Sequence, residues 1–159
     1  MKADPKAWLL IQNRQRVRRV NVRYLRRIVH TFLREQLGPE RYELGICLVE
    51  SGRITRLNQA YLRHQGSTDV ITFDYRAGGP GDWFWGDVFV NVRAAVLQAA
   101  QFRTTWQSEL VRYVVHGILH LCGYDDRTAR DRRRMKKEED RWLRRLRLAF
   151  NFKKLAGNR

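Results

Sequence analysis

Two histidines and an aspartate in the C-terminal half of the chain have a spacing typical of metal binding. His116 and His120 are four residues apart, so on an α-helix they lie on the same face, one turn apart. Asp126 follows Gly123, a residue type that can end a helix and let the chain turn back. Two imidazoles and a carboxylate with an open fourth position are the ligand set of a catalytic zinc ion, which activates water near neutral pH.

The alternative is that the two histidines are ordinary core or surface residues. They belong to an otherwise apolar segment, however, and burying two imidazoles without partners would be costly. We therefore favour one metal ion per chain, held by His116, His120 and Asp126. Zinc is the expected ion, with another divalent metal as the alternative, and the same three residues are the predicted catalytic residues.

A metalloprotease is the weaker interpretation of this motif. The zincin pattern H-E-x-x-H has its general-base glutamate directly after the first histidine. Gly117 stands at that position here, although a third ligand beyond a glycine turn resembles the metzincin arrangement. The motif therefore predicts a metal-dependent hydrolase that acts on another substrate.

The charge of the chain indicates what that substrate is. The 159 residues contain 32 Lys and Arg against 16 Asp and Glu, a formal net charge of +16. Such an excess favours a polyanionic partner, most commonly nucleic acid; an anionic membrane and a merely solvated basic surface are the alternatives. Eight of the arginines fall between Arg14 and Arg34, a stretch without acids.

Other features of the composition indicate a soluble, cytoplasmic protein. Cys47 and Cys122 cannot form a disulfide framework or a metal knuckle. The N-terminal apolar run is too short for a signal peptide. No segment approaches the roughly 20 apolar residues of a membrane-spanning helix, so we expect no membrane partner.

Hydrophobic periodicity predicts a mixture of strands and helices in one domain, residues 1–159, with a basic tail at about 151–159. This mixture favours an α+β or α/β layer architecture. Strands are predicted at residues 8–12, 42–49, 70–75 and 87–92. The first predicted helix has Asn21 as its N-cap and runs to Leu37, with Gly38 ending it. Further helices are predicted from Ser51 as N-cap to about 64, from Asn91 or Val92 to 102, from Thr104 or Thr105 as N-cap to 123, and from 128 to about 150.

Three ordered sequence blocks resemble the YbeY family of bacterial endoribonucleases. HGILHLCGYDD at 116–126 resembles the family signature HGxLHLxGYDH. Leu57-Asn58, Tyr61 and STDVITF at 67–73 resemble LNxxYR and PTDVLSF, and GDVFV at 86–90 resembles the GD-I/V strand that precedes a helix with Ala94, Ala95 and Gln98. The resemblance extends from about residue 43 to about residue 142.

This resemblance implies an α+β fold, with a small mixed four-stranded sheet, about five to six helices and the metal site on a helix followed by a glycine turn. It implies a zinc-dependent, single-strand-specific endoribonuclease in rRNA maturation, at the 16S rRNA 3′ end, and in ribosome quality control. Its partners would be RNA, namely rRNA and the ribosomal subunit, together with ribosomal proteins or an assembly GTPase. The alternative is a non-catalytic RNA-binding ribosome assembly factor with a structural metal.

Two positions depart from the family pattern. Asp126 stands where the family has a third histidine, but a carboxylate also ligates zinc, at about 2.0–2.2 Å; Asp125 matches the family's own Asp. The family's RNA-binding Arg after Tyr61 is Leu62 here. The adjacent Arg63 would point about 100° away on a helix, and Arg76 or Arg53 could take the place of the family's arginine instead. The candidate RNA-binding residues are therefore Arg63, Arg76 and Arg53.

Two further sets of residues have open roles. Three aromatic residues are predicted to lie in one loop: Trp83, Phe84 and Trp85. Their rings either pack into the core or against the edge of the protein, which is slightly favoured, or stack on unpaired bases. Asp69 and Asp87 are candidates for a general base, or are simply turn residues.

Overall fold

The computed structural model describes residues 7–38, 41–62, 68–76 and 83–157, and shows a mixed four-stranded sheet packed with helices. The strand order is β1-β2-β4-β3; β1, β2 and β4 are mutually parallel and β3 is antiparallel to β4. The predicted α+β fold with a small mixed sheet is confirmed. The strands are β1 Ala7–Arg14, β2 Arg41–Val49, β3 Val70–Asp74 and β4 Trp83–Asn91.

The described part of the chain has five α-helices, as the sequence patterns predicted, with bounds within a few residues except at the end of α2. A π-helical turn, Asn58–Leu62, follows α2, and a 3-10 turn, Phe152–Leu155, follows α5. None of these helices is both long and apolar enough to cross a membrane. The α-helices are α1 Val22–Leu37, α2 Ser51–Leu57, α3 Val92–Phe102, α4 Trp106–Leu121 and α5 Ala129–Ala149.

Alternation of side chains along the strands divides the apolar residues between two cores. In β4, Phe84 and Val88 are buried in the main core, on the face covered by helices α1, α4 and α5. Ile54 of α2 packs on the opposite face with Cys47 and Ile71 in a smaller core. The first of these faces carries α4, the helix with the histidine pair.

Helix α1 begins and ends where its sequence signals predict. The side chain of Asn21 accepts a hydrogen bond from the backbone of Tyr24, and Gly38 ends the helix with φ of 61°. A left-handed backbone of this kind favours glycine. The apolar stripe of α1, including Leu25 and Phe32, is buried, which leaves the arginines of this helix toward the surface.

Two predicted boundaries were wrong. Glu50, and not Ser51, is the N-cap residue of α2, and the Ser51 hydroxyl donates a hydrogen bond to Asn91 Oδ1 at 3.2 Å. The predicted extension of this helix to residue 64 lies partly outside the described residues. Strand β4 begins at Trp83 and not at Asp87, because its first four residues continue the parallel pairing with β2.

The C-terminal segment is anchored to the protein rather than forming a free tail. Phe152 and Leu155 are buried, and Ala156 forms an antiparallel bridge with Val20. The lysines between these two apolar residues, Lys153 and Lys154, are exposed. The segment therefore keeps its cationic surface while its apolar side chains close one end of the main core.

Candidate metal centre

Helix α4 presents one face to the sheet and the histidine face to solvent. Gly117 lies so close to the sheet that a Cβ atom there would be 2.4 Å from Val88 Cγ1 and 3.1 Å from Val70 Cγ1. His116 and His120 lie on another face, where each side chain is 24% exposed. A glutamate at position 117 would be driven into the main core, so the zincin arrangement has no room on this helix.

A turn after α4 brings Asp126 back to the two histidines. Gly123 has φ of 100°, a conformation that costs glycine little, and its N–H donates to the His120 carbonyl at 3.0 Å. The N–H of Asp126 donates to Asp125 Oδ1 at 2.7 Å. This bond is the main cause that lowers the pKa of Asp125, whose side chain holds the turn, whereas Asp126 faces the histidines.

Two of the three distances between the candidate ligand atoms match the spacing around one tetrahedral ion. Asp126 Oδ2 is 3.2 Å from His120 Nε2 and 3.6 Å from His116 Nε2. All three atoms lie within 4.8 Å of one another. Ligands at about 2.1 Å from a tetrahedral ion stand about 3.4 Å apart, so the predicted residues are brought together and their donor set fits zinc.

A fourth residue, Glu139 of α5, fixes the orientation of the first histidine. Its Oε2 is 3.0 Å from His116 Nδ1. Because an ionised carboxylate only accepts hydrogen bonds, Nδ1 is the donor in this pair. The other ring nitrogen, Nε2, then faces the Asp126 carboxylate, which is the orientation that a metal ion between the two groups requires. Carboxylate-to-histidine bonds of this kind are usual around metal ligands.

Glu139 was not singled out by the sequence motif, although a signal for it exists. It occupies the buried stripe of α5, one turn after Met135 and one turn before Leu143. The other carboxylate oxygen of Glu139, Oε1, lies 3.4 Å from Arg112 Nη1. The same nitrogen of Arg112 is also paired with Asp140, at 2.8 Å. An acid on an apolar helix stripe is the signal that could have identified it.

The three ligand residues line a cleft of about 690 Å³, called the metal cleft below. Asp69, at the start of β3, lines it too. Partial burial raises the pKa of the Asp69 carboxyl group, while the charge of His116 and a hydrogen bond from Tyr113 lower it. Asp87, the other general-base candidate, accepts a hydrogen bond from Tyr75 at 2.6 Å and does not line the metal cleft.

The three candidate RNA-binding arginines differ in their surroundings. Arg76 is ion-paired with Asp74 at 2.7 Å, donates a hydrogen bond to the Leu121 carbonyl and lies over the ring of Phe84. Arg53 is exposed, on α2. Arg63 lies outside the described residues.

Phe84 and Trp85, near the start of β4, do not line the metal cleft, and the side chain of Trp83 is outside the described part of the structure. Phe84 is buried in the main core, as favoured from the sequence, whereas Trp85 is 42% exposed. The exposed ring in the metal cleft belongs instead to Phe102, at the end of α3, which is 58% exposed. No motif had distinguished this residue.

The sequence and the fold both match known proteins. The family model described as endoribonuclease YbeY matches residues 10–147. Endoribonuclease YbeY of Chlorobium luteolum is 37% identical over 140 residues, covering 87% of this chain and 97% of the relative. The corresponding protein of Salinibacter ruber is 37% identical over 112 residues, covering 67% and 71%.

The solution structure of TM1509 from Thermotoga maritima has the same fold, with a TM-score of 0.59 at 22% identity, covering 87% of this chain and 88% of that chain. The residues that the family model matches include the two central strands, β2 and β4, the residues that line the metal cleft and most of α5. The chain belongs to the YbeY family.

Proposed function

We propose that this protein is a zinc-dependent endoribonuclease specific for single-stranded RNA, and that His116, His120 and Asp126 hold its one catalytic ion. The observation that carries the proposal is the separation of 3.2 and 3.6 Å between Asp126 Oδ2 and the two Nε2 atoms. Membership of a family whose relatives are named endoribonucleases supports RNA as the substrate.

When bound, the zinc ion supplies Lewis-acid activation of a water molecule and of a phosphoryl oxygen. Glu139 keeps Nε2 of His116 turned toward the ligand cluster through its bond to Nδ1. Asp69 lines the same cleft, and we propose its carboxylate as the proton acceptor. Lys136, also in the lining, is exposed and can contact a substrate phosphate.

An exposed aromatic ring in the metal cleft supports the proposed preference for single strands. Phe102 offers a face on which an unpaired base can stack, and such stacking contributes about 1–3 kcal/mol per base in single-strand binders. A base within a duplex is already stacked and cannot make this contact. The net charge of +16 attracts the phosphate chain whatever its sequence.

The test is cleavage of a labelled single-stranded RNA by the purified protein. We expect a chelator to abolish cleavage and added zinc to restore it, and the His116→Ala variant to be inactive with or without zinc. His30→Gln is the matched control, because His30 is a partly buried histidine bonded to Tyr42, on α1. Metal-loaded wild-type protein that leaves RNA intact would contradict the proposal and favour a non-catalytic RNA-binding assembly factor.

The resemblance to YbeY also supports a narrower role, which is part of the same proposal. The substrate would be rRNA in the cytoplasm, with maturation of the 16S rRNA 3′ end and removal of defective ribosomes as the tasks, and with ribosomal proteins or an assembly GTPase as partners. Mapping 16S rRNA 3′ ends in cells that carry only the His116→Ala variant tests this role. Normal mature ends in those cells would contradict it.

A further inference from the structure

A second cleft, of about 590 Å³, lies beside the ends of β1 and β2 and is lined by four arginines. We call it the arginine cleft. All four residues are exposed. Two come from the end of β1 and the loop after it, and two lie one turn apart on α2. The four are Arg14, Arg16, Arg53 and Arg56.

The positive charge of the arginine cleft is not neutralised from within the described structure. None of the ion pairs in the described ranges includes any of its four arginines. Glu50 also lines the cleft, but its Oε1 accepts a hydrogen bond from the backbone N–H of Arg16 at 2.9 Å. The lining of the cleft therefore has four exposed guanidinium groups and one carboxylate. Such an excess of positive charge can bind a polyanion.

The arginine cleft and the metal cleft are each lined by a residue at the carboxyl edge of the parallel strands, although α2 and α4, which also line them, pack on opposite faces of the sheet. One row of residues crosses β1, β2 and β4 at this edge and reaches the residue before β3: Arg14 pairs with Val49, Val49 with Asn91, and the N–H of Asn91 donates to the Asp69 carbonyl at 2.9 Å. Arg14 lines the first cleft and Asp69 the second. Three strand spacings of about 4.8 Å separate the two ends of this row, about 14 Å in all.

We propose that the arginine cleft binds phosphates of the single strand whose scissile bond lies in the metal cleft. This inference rests on the proposed function and adds a second contact region to it. One continuous strand, lying along the carboxyl edge of the parallel strands, reaches both clefts. Guanidinium groups suit the task because each can donate two hydrogen bonds to one phosphate. Because these contacts are to phosphates and not to bases, binding in the arginine cleft should not depend on the base sequence.

The test is binding of a fluorescein-labelled oligothymidylate to the metal-loaded protein, followed by fluorescence anisotropy at several salt concentrations. Oligothymidylate carries the phosphate chain without the 2′-hydroxyl. For Arg53→Ala/Arg56→Ala we expect binding to weaken about tenfold. The negative slope of log K against log salt should become less steep by about 1.4, since each phosphate contact of a single strand contributes about −0.7.

Two control proteins separate the cleft from general charge and from damage to the fold. Arg133→Ala/Arg144→Ala removes the same charge from exposed positions on α5 and should leave affinity within about twofold of wild type. Arg53→Lys/Arg56→Lys keeps the charge on α2 and should retain most of the salt slope.

Equal losses in the two alanine doubles, or no loss in either, would overturn the proposal. Absence of oligothymidylate binding by wild type would overturn it as well. Failure of the wild type to cut single-stranded RNA, with the expected binding results, would instead reject the proposed function and leave the arginine cleft as a single-strand binding site.

Discussion

Replacing Glu139 by glutamine should weaken zinc binding by about tenfold although Glu139 is not a ligand of the ion. Loss of a carboxylate that orients a metal-binding histidine typically costs 10–100-fold in affinity, that is, about 1.4–2.8 kcal/mol. For Glu139→Gln we expect a loss of affinity near tenfold, because the amide oxygen of glutamine can still accept the hydrogen bond from His116 Nδ1. In the wild-type protein this bond joins His116 Nδ1 to Glu139 Oε2 at 3.0 Å. What is lost is the negative charge that makes the imidazole more basic.

The assay is competition for zinc between the protein and a chromophoric chelator, which reports affinity without reference to catalysis. Glu138→Gln is the matched control, since Glu138 precedes Glu139 on α5 and is paired with Arg141 at 3.0 Å, away from the histidines. Unchanged zinc affinity in Glu139→Gln, or an equal loss in Glu138→Gln, would refute the assigned role. Glu139→Ala should show the larger loss, toward 100-fold.

Three further outcomes follow from the packing and charges of the fold. Gly117→Ala should lower the free energy of unfolding by about 1–3 kcal/mol, because its Cβ would lie 2.4 Å from Val88 Cγ1; unchanged stability in urea unfolding would contradict this contact. Phe32→Ala, in the fully buried stripe of α1, should cost about 3–5 kcal/mol by the same measurement. The hydrogen bond from Arg76 lowers the pKa of Asp74. The ionised carboxylate therefore stabilises the fold fully at pH values above its ordinary pKa of about 3.9, and this stabilisation is lost as the pH falls through the lowered pKa. Asp74→Asn should therefore be less stable than wild type at neutral pH, with a difference that shrinks in acid, and a difference independent of pH would be inconsistent with the assignment.

The clustering of His116, His120 and Asp126 could be predicted from the sequence because local geometry determines their arrangement. A spacing of four residues puts His116 and His120 on one helix face whatever the rest of the fold, and Gly123 permits the return of the chain toward Asp126. The caps of α1 and α4 could be predicted for the same reason, as the side chains of Asn21 and Thr105 bond to N–H groups three residues ahead.

Features that depend on contacts between distant segments could not be obtained in this way. The bond of Glu139 to His116 requires α5 to pack across α4, and no local pattern specifies that crossing. The early start of β4 likewise depends on pairing with β2, and the burial of Phe152 depends on the main core. In each case tertiary packing, rather than local propensity, decides the structure.

The most direct measurement of the central claim is anomalous diffraction at the zinc absorption edge from crystals of the zinc-loaded protein. One peak per chain should lie about 2.0–2.2 Å from Nε2 of both histidines and from a carboxylate oxygen of Asp126. A zinc peak elsewhere in the molecule, or none between these three side chains, would contradict it.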